Sequence, residues 1–191
     1  MMNNEDEPHT ENTAKIIYGG FWLRTAAILL DTLISAPFLI IMHYINSLDK
    51  NFYFITFLPF WALSTFYFLY LPIKYGGTPG KLLLKLKIVK TDGQPIGLKE
   101  GILRMLVTFG LGLFGAAIVF FSIPKADSEV FKQLSWFKQS AYLDIFSNGW
   151  HSIYNTVNSI WLIASAIVLL ADKKKRAIHD FMAGTVVIKN V

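Results

Sequence analysis

Four apolar stretches constrain this chain more than anything else in it. They occupy residues 21–44, 52–73, 102–123 and 153–170, each close to the length of about 20 residues that an α-helix needs to cross a bilayer core. The last is the shortest and opens with polar residues. Aromatic residues at the ends of the stretches fit anchoring at the water interface. The rest of the composition leaves little alternative: 16% of the 191 residues are charged, against about 25% in a soluble domain. So few charges cannot cover the surface of a water-soluble protein of this size. The expected fold class is therefore all-α membrane, a four-span transmembrane helix bundle. Its domain spans 18–191, behind a disordered acidic tail at 1–17 that carries Glu5, Asp6, Glu7 and Glu11. The tail lacks a positively charged start and makes a poor secretory signal.

The first span must tolerate its own Asp31. A central aspartate costs about 2.5–3.5 kcal/mol on the insertion scale, and apolar residues return about 0.3–0.6 kcal/mol each. Residues such as Leu23, Ile28, Leu29, Leu30, Leu33, Ile34 and Phe38 to Ile41 offset it, while Arg24 sits near an end where it can snorkel. The span survives.

Lysine and arginine positions set the orientation. Lys15 and Arg24 precede or open the first span. Lys74, Lys81, Lys85, Lys87, Lys90, Lys99 and Arg104 lie between the second and third, and Lys173, Lys174, Lys175, Arg176 and Lys189 come after the fourth. Only Lys50, Lys125, Lys132 and Lys138 fall on the other side. The positive-inside rule then predicts a multi-pass protein of the cell membrane with both termini cytoplasmic. The net charge of +5 becomes an insertion signal with affinity for anionic lipid, not a nucleic-acid footprint, and no nucleic-acid partner is expected.

The connection GGTPGKLLLKLKIVKTDGQPIGLKEGILR is structured. Pro79 suits a helix start, and Lys81 and Lys85 at i, i+4 predict a short amphipathic helix on the membrane surface. Near-alternation in LKIVK runs into Asp92-Gly93, a hairpin pair, and Pro95 confines the returning arm to an edge or irregular strand. The β-branched run Thr185 to Lys189 is predicted to pair with 86–91. The result is a small cytoplasmic amphipathic helix/β-hairpin platform. Its basic residues Lys81, Lys85, Lys87, Lys174, Lys175 and Arg176 meet the membrane surface. On the opposite side, the aromatic loop 124–152 is expected to rest on the outer interface.

Three patches together resemble the RDD family of multi-pass membrane proteins: YGGFWLRTAAILLDTLI, GGTPGKLLLKLKIVKTDGQPIGLKEGILR and KKKRAIHDFMAGTVVIK. They cover residues 18–44, 75–105 and 170–189. The family is named for an arginine and two aspartates; Arg24 and Asp31 match the first two, and Asp180 is assigned to the third. The resemblance implies the membrane fold. It implies little about activity, although cation–proton exchange has been proposed within the family. The aromatic insertion at 124–152 departs from compact members.

Asp31 lies ten residues beyond Phe21, about 15 Å along a helix, so it is expected near the middle of the core. An intramembrane carboxylate is a functional hypothesis by default. With Thr32 and Ser35 on its own helix it forms a candidate ion or proton site. Ser64 or Thr65, Thr108, and Asn158 or Ser165 are candidate partners from the other spans. Hydroxyls and amides suit a hard cation, and they are equally common as interhelical glue. Arg24 is two turns from Asp31, too far for easy contact. Arg24 and Arg104 with Asp180 are instead expected to form an ion-pair network that locks the platform to the bundle. Gly110, Gly112 and Gly115 spell GxGxxG inside an apolar span with no strand before it, so the dinucleotide reading fails on context. Gly112 with Ala116 predicts close helix packing. Pro59 is expected to kink the second span and Pro72 to end it.

The absence of cysteine excludes disulfides and thiolate chemistry. His179-Asp180 lacks a second ligand cluster, and no nucleophile–base pair assembles. No enzyme activity, metal or cofactor is expected. Two functions fit: a non-enzymatic membrane module or assembly factor for other membrane proteins, and a small cation/proton transporter with Asp31 as its site. Four short spans enclose little volume, so the transporter is expected to be a homo-oligomer.

Overall fold

The computed structural model describes residues 16–190. The acidic tail expected at 1–17 lies outside them apart from its last two residues. Those correct its boundary, because Ile17–Tyr18 forms a short strand, β1. Helix α1 comes next, over Phe21–Leu48. The second span, Phe52–Tyr75, is built from α2 (Phe52–Thr65), a π-helical turn (Phe66–Tyr70) and α3 (Leu71–Tyr75). A short helix α4 (Pro79–Leu83) and strand β2 (Leu86–Lys90) make the connection. Helix α5 (Leu98–Ser122) is the third span. Helices α6 (Ser128–Gln133) and α7 (Trp136–Asp144) precede the fourth span, α8 (Trp150–Ala171). Helix α9 (Ile178–Ala183) and strand β3 (Thr185–Lys189) close the chain.

The four span helices are long and apolar enough to cross a membrane, and no more than 17% of any span's most apolar window is buried inside the molecule. Ile28, Leu29 and Leu33 of the first span and Ile160, Leu162, Ile163 and Ile167 of the fourth point outward. That much exposed aliphatic surface is lipid-facing surface. The protein is a multi-pass membrane protein with a four-span bundle.

The antiparallel order puts β1, α4, β2, α9 and β3 at one end, the platform end, and α6 and α7 at the other. The expected pairing of the two basic segments is present: β2 and β3 run antiparallel with Leu86 opposite Lys189 and Lys90 opposite Thr185. β1 adds to the far side of β3, giving the order β1-β3-β2. The returning arm after Asp92-Gly93 is reduced to one bridge, Val89 to Pro95, as the missing proline N–H demands. Leu86, Ile88, Ile96 and Val187 bury themselves with Ala27, which seats the sheet against the base of the first span.

Three local expectations need correction. The helix over Lys81 and Lys85 ends at Leu83, and Lys85 itself takes a left-handed φ of 58°, so the two lysines do not share a helical face. The second span does not stop at Pro72. Pro72 directly follows the π turn, whose last bond runs from the Leu71 N–H to the Phe66 carbonyl, and the helix runs on to Tyr75, where Gly76 caps it at φ 83°. Its irregularity lies at the π turn, beyond Pro59. Gly112 and Gly115 do make close packing, but for aromatic rings: a Cβ on Gly112 would sit 3.2 Å from the Trp61 ring, and one on Gly115 would sit 3.2 Å from the Tyr154 ring.

The loop expected to rest on the interface also builds a core of its own. Ile123, Ala126, Phe131 and Leu143 are buried together, with Tyr53, Val119 and Phe120 from the adjoining spans packed against them. Gln139 Nε2 donates to the Ser47 carbonyl at 3.2 Å, and Lys132 pairs with Asp49 at 3.4 Å, so this cap also holds the turn between the first two spans. Emptying its centre with Phe131→Ala is expected to cost about 3–5 kcal/mol, confined to the cap. Limited trypsin cleavage at Lys132 and Lys138 should accelerate strongly, while circular dichroism shows the span helices retained.

Candidate functional site: two buried aspartates at the platform end

Asp180 is the centre of the expected charged network, and it is fully buried. It stands at the third position of α9, where its Oδ2 accepts from the Ala177 backbone N–H at 2.9 Å. The same oxygen receives Arg24 NH1 from the first span at 2.6 Å. Its Oδ1 receives Arg104 from the third span, and Arg104 also donates to the Thr185 hydroxyl at the start of β3. Arg24 spends its remaining donors on backbone carbonyls, Nε on Gly19 at 2.8 Å and NH2 on Lys175 at 2.6 Å. One carboxylate thus joins two spans, the sheet and both terminal segments. Burial alone would raise the Asp180 carboxyl, but the guanidiniums of Arg104 and Arg24 outweigh it and hold the group well below the ordinary carboxylate range.

Asp31 is also buried, and its surroundings differ from expectation. Its Oδ1 accepts from Tyr67 Oη at 2.7 Å and from the Gly80 backbone N–H at 2.7 Å. Its Oδ2 accepts from Thr78 Oγ1 at 2.6 Å. Thr32 and Ser35 do not join it. Their hydroxyls donate back to the first span's own carbonyls, Thr32 to Ile28 at 2.9 Å and Ser35 to Asp31 O at 2.9 Å, the usual habit of a hydroxyl inside a helix. Ser64, Thr65, Thr108, Asn158 and Ser165 are not among its hydrogen-bond partners either. The connection after the second span folds back along the first and supplies two of the three donors; the π turn supplies the third, Tyr67.

Gly80 makes this approach possible. A Cβ there would lie 2.3 Å from the Ala27 carbonyl oxygen and 2.8 Å from the Asp31 carboxyl carbon. Only glycine lets α4 come this close to α1. Sequence reasoning missed Tyr67, Thr78 and Gly80. The available signal was the glycine of TPGK, placed after the helix-starting proline, where a turn alone has no need of it.

The six basic residues expected at a membrane surface divide. Lys85 and Lys174 are exposed and Lys87 is half-buried. Lys175 takes φ 52° and donates to the Leu170 carbonyl at 3.1 Å. Arg176 pairs with Asp172 at 3.0 Å and lies 3.9 Å from the Phe181 ring centre. Lys81 turns inward, and its Nζ approaches Thr78 Oγ1 at 3.4 Å. Burial, reinforced by Arg104, pulls its ammonium down to about 8, so it stays protonated at neutral pH.

Lys81, Arg104 and His179 line the platform end of a cavity of about 690 Å³. Phe57, Trp61, Phe109 and Phe120 line it farther along, and Asn46 and His151 are among its residues toward the cap. Among the described residues, no group of three or more His, Asp or Glu is placed to hold a metal ion.

The geometry sets two expectations for stability. Gly80→Ala should cost about 1–3 kcal/mol through overpacking, because α4 must lift from α1 and release Asp31. Gly110→Ala, where a Cβ meets nothing within 4 Å, should be tolerated. Thermal unfolding in detergent compares them. His179 gives a pH dependence. Burial and then Arg104 lower its imidazole from 6.5 to about 4. Between those values the unfolded chain binds the extra proton, so this group's contribution is complete above pH 6.5 and is lost as pH falls across the window. His179→Gln should flatten that part of a melting-temperature profile taken between about pH 4 and 8.

A protein of Bacillus subtilis (strain 168), named uncharacterized protein YckC, is 36% identical over 110 residues, which is 52% of this chain and 70% of that protein. No solved structure matches the chain. The RDD family model matches residues 18–184, a range that takes in Arg24, Asp31 and Asp180 and all four spans; the chain belongs to the RDD family.

Proposed function

We propose that the protein is a non-enzymatic membrane module that supports the assembly of other membrane proteins, presenting its platform to them in a fixed pose. The observation that carries this reading is the pair of buried aspartates. Asp180 ties α9 to the first and third spans, and Asp31 ties the Thr78–Gly80 connection to the first and second, so each carboxylate has its oxygens taken up by holding the platform in place. Lys85, Lys173, Lys174 and Lys189 stay exposed on the held platform, a surface suited to anionic lipid headgroups or an acidic partner. The lysine and arginine asymmetry supports placing that surface in the cytoplasm, at the cell membrane.

A second reading, cation/proton transport at Asp31, has one observation in its favour. Asp31 gathers the Tyr67 hydroxyl on one carboxylate oxygen and the Thr78 hydroxyl on the other, beside a π turn, and Thr78 also lines the cavity. π turns inside helices are frequent at functional sites. Proteoliposomes separate the two. On the assembly reading, sodium, lithium and potassium gradients drive no proton flux that depends on a carboxyl at position 31, and Asp31→Asn gives the same flux as the natural chain. Photocrosslinkers at Lys85 and Lys174 in intact membranes should give a discrete protein adduct, lost in Gly80→Ala. Flux abolished by Asp31→Asn in an equally folded protein, or the absence of any adduct, overturns that reading.

A further inference from the structure

The charges around the inner end of the cavity do not balance. The charges that act on the Lys81 ammonium are two further cations, Arg24 and Arg104, and two carboxylates, Asp31 and Asp180, three cations against two anions. Asp180 is fully engaged by the two arginines. Asp31 has its oxygens filled by Tyr67, Thr78 and Gly80, and Lys81 lies within ion-pair distance of neither aspartate among the described residues. The side-chain contact of the Lys81 ammonium is the long approach to Thr78. His179, held neutral at pH 7, adds a polar atom to the same end without changing the count.

Lys81 is half-buried with no carboxylate at ion-pair distance, and a partly desolvated cation is costly unless something anionic meets it. Lys81 keeps its charge while facing a cavity whose remaining walls are largely aromatic and apolar. Phe57, Trp61, Phe109 and Phe120 run away from it between the second and third spans, with Trp61 against Phe109 edge-on at 4.4 Å. At about 690 Å³ the space is in the size range of a site for one small ligand, about 300–1,000 Å³. Cations at one end and a largely aromatic and apolar wall behind them, interrupted by Thr56, Ser64 and Thr108, are the complement of one ligand class.

We propose that this cavity binds a single-chain anionic amphiphile from the membrane, a long-chain fatty acid, with its carboxylate on Lys81 and Arg104 and its chain along Trp61 and Phe109. Arg104 can take part because only part of its fork is used on Asp180 and Thr185. Gly112 leaves the space in which the Trp61 ring lies flush with the wall. The inference is independent of whether the platform serves assembly or transport, since it uses the excess charge and leaves both aspartates as they are.

The test uses the full chain in an uncharged detergent and a fatty acid brominated in mid-chain, which quenches nearby tryptophan. Saturable quenching is expected, with Trp61→Phe removing the saturable part. Lys81→Met should weaken binding at least tenfold and Lys81→Arg should retain it, with unchanged melting temperatures showing that both variants fold. The corresponding brominated alcohol, lacking charge, should bind at least tenfold more weakly, and inorganic phosphate alone should not compete. Saturable quenching that persists in Trp61→Phe, equal affinity for acid and alcohol, indifference to Lys81→Met, or full competition by free phosphate would each overturn the proposal.

Discussion

Asp180 is the contact on which the rest of the arrangement depends. It ties Arg24, 156 residues earlier in the chain, to Arg104, 76 residues earlier, and so fixes the first span, the third span and the terminal sheet at one point. Such a buried cluster is a poor source of net stability, because desolvating three charges offsets most of their attraction. Its value is geometric. The carboxylate offers two oxygens and each is claimed by a different span, so no other register of the first and third helices satisfies both arginines. Removing the acid would leave two guanidiniums buried against each other, which is why the cluster behaves as a unit.

Much of this was legible in the sequence, for identifiable reasons. Span positions derive from hydropathy, which depends on composition and length and needs no tertiary knowledge. The β2–β3 pairing was legible because a β-branched run beside a basic segment has few alternatives at a membrane surface. Arg24, Arg104 and Asp180 could be grouped because charges in or near apolar spans must find each other. Asp31 was misread in its surroundings because helix rise alone placed it at mid-depth, and its partners were then sought in other spans. The actual donors are a backbone N–H and two hydroxyls, two of them on a connecting segment that folds back. A backbone N–H carries no sequence signal, and a single threonine in a loop carries almost none. Only the steric demand at Gly80 could have pointed there. The core of the cap was not legible for a related reason: aromatic residues suit an interface and a small core equally, and only the three-dimensional convergence on Phe131 reveals the core.

The π turn at Phe66–Tyr70 links the Asp31 site to the second span. An i→i+5 turn accommodates one extra residue and rotates the next stretch of helix relative to an uninterrupted one. Tyr67 lies in that turn and reaches Asp31, while Leu69 and Ile73 pack where Gly101 of the third span leaves room. One local irregularity thus aims a polar side chain at the first span and keeps an apolar face toward the third.

Helices in lipid gain little by burying apolar surface against one another, since the acyl chains are as apolar as leucine side chains. A four-span bundle must then be held by packing and polar contacts, and here these concentrate at the ends. The platform end is closed by Asp180 and Asp31 with their donors; the other is closed by the cap around Phe131 with Lys132–Asp49 and Gln139. Between the ends the second and third spans touch through rings, Trp61 on Phe109 and Phe57 on Phe120. Rings bridging helices in this way leave gaps that aliphatic ridges and grooves would fill. A bundle pinned at both ends and spaced by aromatics in the middle keeps an internal cavity without losing its register. The excess positive charge then sits at the one place where that cavity meets the pinned platform.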